Sequence, residues 1–153
     1  MMASQEQKAS WRIWFARAMV AIVFAWNVLC ALQFVVLPEE YATAYGLAPT
    51  VENGALVSGI GVAFLMWNVT YPLVIANPVR YRVLFGVVLA QQLVGLVGET
   101  IIWLRLSGAG MADGAMAAGI MRFVVFDAAG LFMMAVAFSL MMRVWNARAG
   151  EGA

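Results

Sequence analysis

The chain reads as an all-α integral membrane protein, a four-helix transmembrane bundle with a short interfacial helix between its first two spans. Three observations carry this. The 153 residues are 65% hydrophobic and only 11% charged, whereas soluble domains are about half apolar and a quarter charged. The apolar residues gather in four runs, at about 13–37, 54–76, 83–104 and 116–144, each reaching the ~20 residues that cross a bilayer. Between the runs lie short stretches holding Pro38, Pro49, Pro78 and Gly110, with Glu39, Glu40, Glu52, Arg80, Arg82, Arg105 and Asp113. Residues 1–153 are expected to form a single transmembrane domain.

Composition also removes several function classes. The chain has no histidine, which excludes His-ligated haem, ordinary zinc catalysis and any Ser-His or Cys-His nucleophile pair. Cys30 stands alone, so there is no intrachain disulfide and no CxxC redox pair. A net charge of +1 argues against nucleic acid as a partner. No phosphate-binding glycine motif follows a strand. No catalytic residue, metal site or cofactor is expected. Met133–Met134 and Met141–Met142 read as packing filler rather than a copper site, because adjacent helical residues do not face each other.

The first run is too long for a signal-peptide core and lacks a small-x-small cleavage signal, so it is expected to be a retained helix. Trp11 and Trp14 suit an interfacial belt, with Arg12 and Arg17 reaching toward head groups. Pro38, Glu39 and Glu40 then form a favourable helix first turn, with proline near N1 and acids at the positive dipole end. Gly46 is the natural stop, and a surface helix is predicted there. In the second run Ala55, Gly59 and Ala63 form a small-xxx-small ladder, expected to let two helix backbones approach closely. Pro72 is placed to kink the far end of that run. Lys8, Arg12, Arg17, Arg80, Arg82, Arg143 and Arg148 fall at one face of the bundle. Arg105, Glu39, Glu40, Glu52 and Asp113 fall at the other. The positive-inside rule then predicts a multi-pass cell-membrane protein with both termini cytoplasmic.

Polar groups inside the apolar runs are the candidate functional residues. A charge near the bilayer centre costs at least about 2.5 kcal/mol on insertion scales. Glu99 and Arg122 each lie five residues below the outer ends of their spans, at Leu104 and Ala117, and are expected to form an ion pair. Gly95 and Gly98 would let a neighbouring helix reach the Glu99 face. Asp127 follows Arg122 by five residues, about 140° round the helix, and therefore needs other partners. Asn27, Asn68, Gln91 and Gln92 lie at similar depth, and with Asp127 they form the expected intramembrane polar cluster. Trp26 and Trp67 lie deeper than a belt requires and are candidates to line a cavity.

Pro38 with Tyr45-Gly46-Leu47, the Gly-rich second span, the basic turn Asn77-Pro78-Val79-Arg80 and an acid in the third span together resemble the DoxX-like group of small four-helix membrane proteins. The likeness covers most of the chain at the level of architecture. It implies a four-helix bundle of the kind sometimes linked to quinone or thiol redox chemistry. The lone cysteine departs from the thiol form.

Three functions are compatible with these residues. One is a non-enzymatic accessory or scaffold subunit, with the lipid bilayer and a membrane protein or second copy as partners. Another is a quinone- or lipid-binding subunit with a cavity lined by Gln91, Gln92, Glu99, Trp67 and Asp127. The third is a proton-coupled carrier acting as an oligomer.

Overall fold

The computed structural model describes the backbone of residues 2–150 and the side chains of residue 7 and residues 9–147. The side chains of Lys8 and Arg148, assigned above to the basic face, lie outside the described residues. The described chain is six α-helices without strands: α1 Met2–Val36, α2 Pro38–Ala44, α3 Val51–Asn68, α4 Tyr71–Ala76, α5 Arg82–Gly108 and α6 Ala115–Gly150. Four segments are long and apolar enough to cross a membrane: Ala9–Val36, Val51–Ala76, Arg82–Gly108 and Ala115–Ala147. The bundle is an all-α membrane architecture.

The connections follow their local chemistry. Pro38 opens α2, with Glu39 and Glu40 in its first turn. The helix ends where Gly46 takes φ +74°, and the Gly46 and Leu47 amides return to the Thr43 and Ala42 carbonyls, which satisfies the last carbonyls of the helix. Thr50 caps α3 by accepting from the Asn53 amide. The second apolar run is broken rather than kinked: α3 ends at Asn68, and α4 begins with Pro72 in its first turn. Proline removes a helical donor and its ring crowds the carbonyl four residues back, which here belongs to Asn68.

α1 is the central element. It packs on α3, α4 and α6, while α5 packs on α6 and α4. α3 and α5 do not pack along their length, so the ring of helices stays open between them. Two apolar clusters hold the bundle. The larger, at the end where α4 meets α5, includes Val20, Val23, Tyr71, Phe85, Met134, Met141 and Trp145. A smaller one at the α2 end joins Phe34, Ala42 and Val57. Met134 and Met141 are fully buried there as packing residues.

The close approach of α1 and α3 rests on a different small-residue face from the expected one. Ala55, Gly59 and Ala63 are exposed, and a Cβ on Gly59 would meet nothing within 4 Å. Gly54, Val57 and Gly61 are the buried positions. A Cβ on Gly61 would lie 2.8 Å from the Ala31 carbonyl oxygen and 2.9 Å from Phe34 Cβ. Small residues occur on both sides of this helix, and apolar periodicity does not separate a lipid-facing side from a packed one, because lipid and core are equally apolar.

Candidate functional site

Between the two apolar clusters lies a polar level, built at the break between α3 and α4. Ending α3 at Asn68 leaves carbonyls without helical partners. Gln91 on α5 donates to one of them, the Trp67 carbonyl, at 3.3 Å. Gln91 in turn accepts from the Thr70 hydroxyl at 3.2 Å. Asn68 donates back to the Phe64 carbonyl at 2.8 Å. The Tyr71 hydroxyl donates to Gln92 Oε1 at 3.3 Å, and Gln92 Nε2 donates to Asp127 Oδ1 at 2.7 Å. Asn27 on α1 shares a cavity wall with Gln92 and Asp127. A continuous chain of hydrogen bonds therefore runs from α4 through α5 to α6.

Glycines make room for it. A Cβ on Gly95 would collide with Asp127 Oδ2, and one on Gly130 would lie 3.1 Å from Gln92 Nε2. The Asp127 and Glu99 carboxyl groups are neighbours on the wall of one cavity. Two carboxyl groups in contact attract with one shared proton and repel with none.

A cavity of about 280 Å³ opens on this level. Asn27, Asn68, Gln91, Gln92 and Asp127 all line it, with Glu99, Gly95, Gly98 and Trp67. The five residues of the expected polar cluster thus face one space. A Cβ on Gly98 would meet nothing within 4 Å, so this glycine widens the cavity rather than seating a helix. Two buried oxygens in the wall have no hydrogen-bond partner, Asn68 Oδ1 and Glu99 Oε2. Asn68 is only 4% exposed. Leaving such an acceptor unpaired costs about 1–3 kcal/mol. Outside the cavity an apolar groove of about 580 Å³ continues between α3 and α5, lined by Ala63, Met66, Trp67, Val87, Ala90, Gln91 and Val94. The site therefore sets a few polar groups into a wall that also holds Phe64, Val94, Ile102 and Phe123, and it opens on an apolar groove.

Compared with known proteins, the chain matches no family model, no curated protein and no solved structure. Among the described residues no group of three or more His, Cys, Asp or Glu side chains is placed to hold a metal ion.

The expected Glu99–Arg122 pair is not formed. Side chains on a helix lean toward its N-terminus. α5 and α6 run antiparallel, so Glu99 leans down to the level of Asp127 while Arg122 leans away, toward the α2 end. Arg122 lines a second cavity of about 290 Å³ with Trp26, Cys30, Gln33, Tyr41 and Tyr45. The Tyr45 ring packs directly over Gly119 of α6. Burial, followed by the field of Cys30, pushes the Tyr45 phenol far above its ordinary range, so it stands in this cavity as a neutral donor. Trp26 stacks on Phe126 at 5.4 Å between ring centroids.

Thr70 and Tyr71 were not among the candidates read from the sequence. Their signal is Pro72: a proline inside an apolar run frees backbone groups, and the polar side chains beside it are placed to reach across the resulting break.

Proposed function

We propose that the protein binds a membrane-soluble small molecule with a hydrogen-bond-donating head, of the quinol kind, in the cleft between α3 and α5. The observation that carries this reading is the pair of buried, unpartnered acceptors, Asn68 Oδ1 and Glu99 Oε2, lining one cavity. One N–H of each of three nearby carboxamides, Asn68, Gln91 and Gln92, is taken by the Phe64 carbonyl, the Trp67 carbonyl and Asp127. A head that donates satisfies the two unpartnered oxygens, which one that only accepts leaves unmet. The apolar groove between α3 and α5 gives a lipid-soluble tail a path out to the bilayer. This reading is in keeping with the resemblance to the DoxX-like group and its quinone-linked members.

The test is isothermal titration of the detergent-solubilised full chain with decylubiquinol. Saturable binding is expected, with decylubiquinone binding more weakly and Asn68→Leu weakening the quinol about three- to tenfold. Absence of saturation, or equal binding by Asn68→Leu, would overturn the proposal.

An accessory-subunit role is favoured by one separate observation. The Ala55, Gly59 and Ala63 stripe faces outward with open space over Gly59, which is the surface a helix of another chain would use. In either role we place the protein in the cell membrane with both termini cytoplasmic. Arg80, Arg82 and Arg143 lie at the end opposite Glu39, Glu40 and Asp113, and basic residues favour the cytoplasmic side. Reporter fusions at the two termini would test the orientation.

A further inference from the structure

We infer that the second cavity, between α1, α2 and α6, is a binding site for the phosphate group of an anionic phospholipid, with Arg122 as its charged ligand. Arg122 belongs to no ion pair with Glu99, and none of the residues lining this cavity is acidic. The cavity wall holds further side chains able to donate: Gln33, Tyr41 and Tyr45. Arginine presents several fixed donors and binds phosphate oxygens two at a time, which lysine does not.

Position within the bundle selects a lipid as the occupant. Arg122 lies seven residues into α6, roughly 10 Å below the start of that helix at ~1.5 Å per residue. An arginine stem at that depth reaches up to the head-group level. The cavity lies beneath α2, at the end of the spans. Its remaining walls are apolar or aromatic: Trp26, Leu29, Phe34, Ala44, Phe123 and Phe126. Trp26 and Leu29 are more than half exposed on the outer face of α1, so an acyl chain leaving the cavity meets apolar surface at once. A soluble anion would gain nothing from that wall. Glu99 is the acid whose field reaches Cys30 and Tyr45. It lines the other cavity, which shares only Phe123 with this one.

The experiment is native mass spectrometry of the full chain released from mixed micelles of phosphatidylglycerol and phosphatidylcholine. Preferential retention of one phosphatidylglycerol, by about fivefold, is expected for a single charged contact near the membrane surface. Arg122→Gln should bring the two lipids to parity, and Arg122→Lys should keep part of the preference. Arg17→Gln, at the opposite end of the bundle over Trp14, should leave it intact. Arg122 is exposed, and circular dichroism of each variant checks that the helices persist. Equal retention of both lipids by the native chain, or an unchanged preference in Arg122→Gln, would overturn the site. Displacement of the lipid by 50 mM inorganic phosphate would overturn the lipid assignment, and continued retention in its presence supports it.

Discussion

Gln92 on α5 donates to Asp127 on α6 across 2.7 Å, the shortest of the three hydrogen bonds between side chains among the described residues. Gln92 also accepts from Tyr71, and so fixes three helices at one depth. Replacing it with Leu removes the donor to Asp127 Oδ1 and the acceptor of the Tyr71 hydroxyl. A loss of about 1–2 kcal/mol is expected, since interhelical hydrogen bonds in membranes average below 1 but a stranded buried group costs more. Asp127→Asn should be milder than Asp127→Leu, because the amide oxygen still accepts from Gln92 and the amide nitrogen can donate to Glu99. Thermal unfolding in detergent gives the order. Equal losses for the two Asp127 variants would show that the contact contributes nothing specific.

The pairing of Glu99 can be tested by double-mutant cycles. Glu99→Gln with Asp127→Asn should be non-additive, because the two carboxyl groups are neighbours in one cavity. Glu99→Gln with Arg122→Gln should add within about 0.5 kcal/mol. A coupling above 1 kcal/mol between Glu99 and Arg122 would restore the ion pair expected from depth alone.

The four glycines of interest have distinct expected responses to alanine. Gly61→Ala drives a methyl group into the Ala31 carbonyl and Phe34, and overpacking of this kind costs about 1–3 kcal/mol. Gly95→Ala pushes the Asp127 carboxylate out of place, and should weaken ligand binding as well as stability. Gly98→Ala fills cavity space without touching a neighbour. It should leave the melting temperature unchanged or slightly raised by helix propensity, while reducing binding. Gly59→Ala meets open space, so the isolated chain should be unchanged or gain up to ~1 kcal/mol from helix propensity. Loss of an oligomer in Gly59→Ala, read by mass in detergent, would assign the exposed stripe to a partner chain.

Much of this arrangement was legible from the residues, and the exceptions share a cause. Spans follow from apolar runs, and α2 follows from Pro38, Glu39 and Glu40, because both depend on local chemistry. Depth is legible too: Asn27, Asn68, Gln91, Gln92 and Asp127 were placed at one level by counting residues, and they line one cavity. What counting residues does not supply is which side of each helix faces inward. In soluble proteins polarity marks the outer face, but here lipid and core ask for the same residues. The ladder 55, 59, 63 and the face 54, 57, 61 are then indistinguishable, and Arg122 and Asp127 compete for Glu99 on equal terms. The lean of side chains toward the helix N-terminus breaks the second tie. It favours Asp127 from sequence and topology together, once α5 and α6 are known to be antiparallel.

Pro72 gives the sharpest separation between fold and site. The proline ends α3 four residues earlier, at Asn68, and the gap lets Thr70 and Tyr71 reach Gln91 and Gln92. Pro72→Ala returns the missing donor and removes the ring that crowds the Asn68 carbonyl. The apolar run then has no local reason to break, and α3 should extend toward α4. Extension rotates Thr70 and Tyr71 by the helical step and withdraws the Trp67 carbonyl from Gln91. The bundle itself should survive, since Val20, Phe85, Met134 and Met141 of the larger cluster lie on other helices. The expected result is a melting temperature within a few degrees of the native chain and helix content equal or slightly higher. Binding of decylubiquinol should fall at least about fivefold, the effect of misplacing one or two hydrogen bonds. Unaltered binding in Pro72→Ala would mean that the break is incidental to the site, and that the polar level is held by α5 and α6 alone.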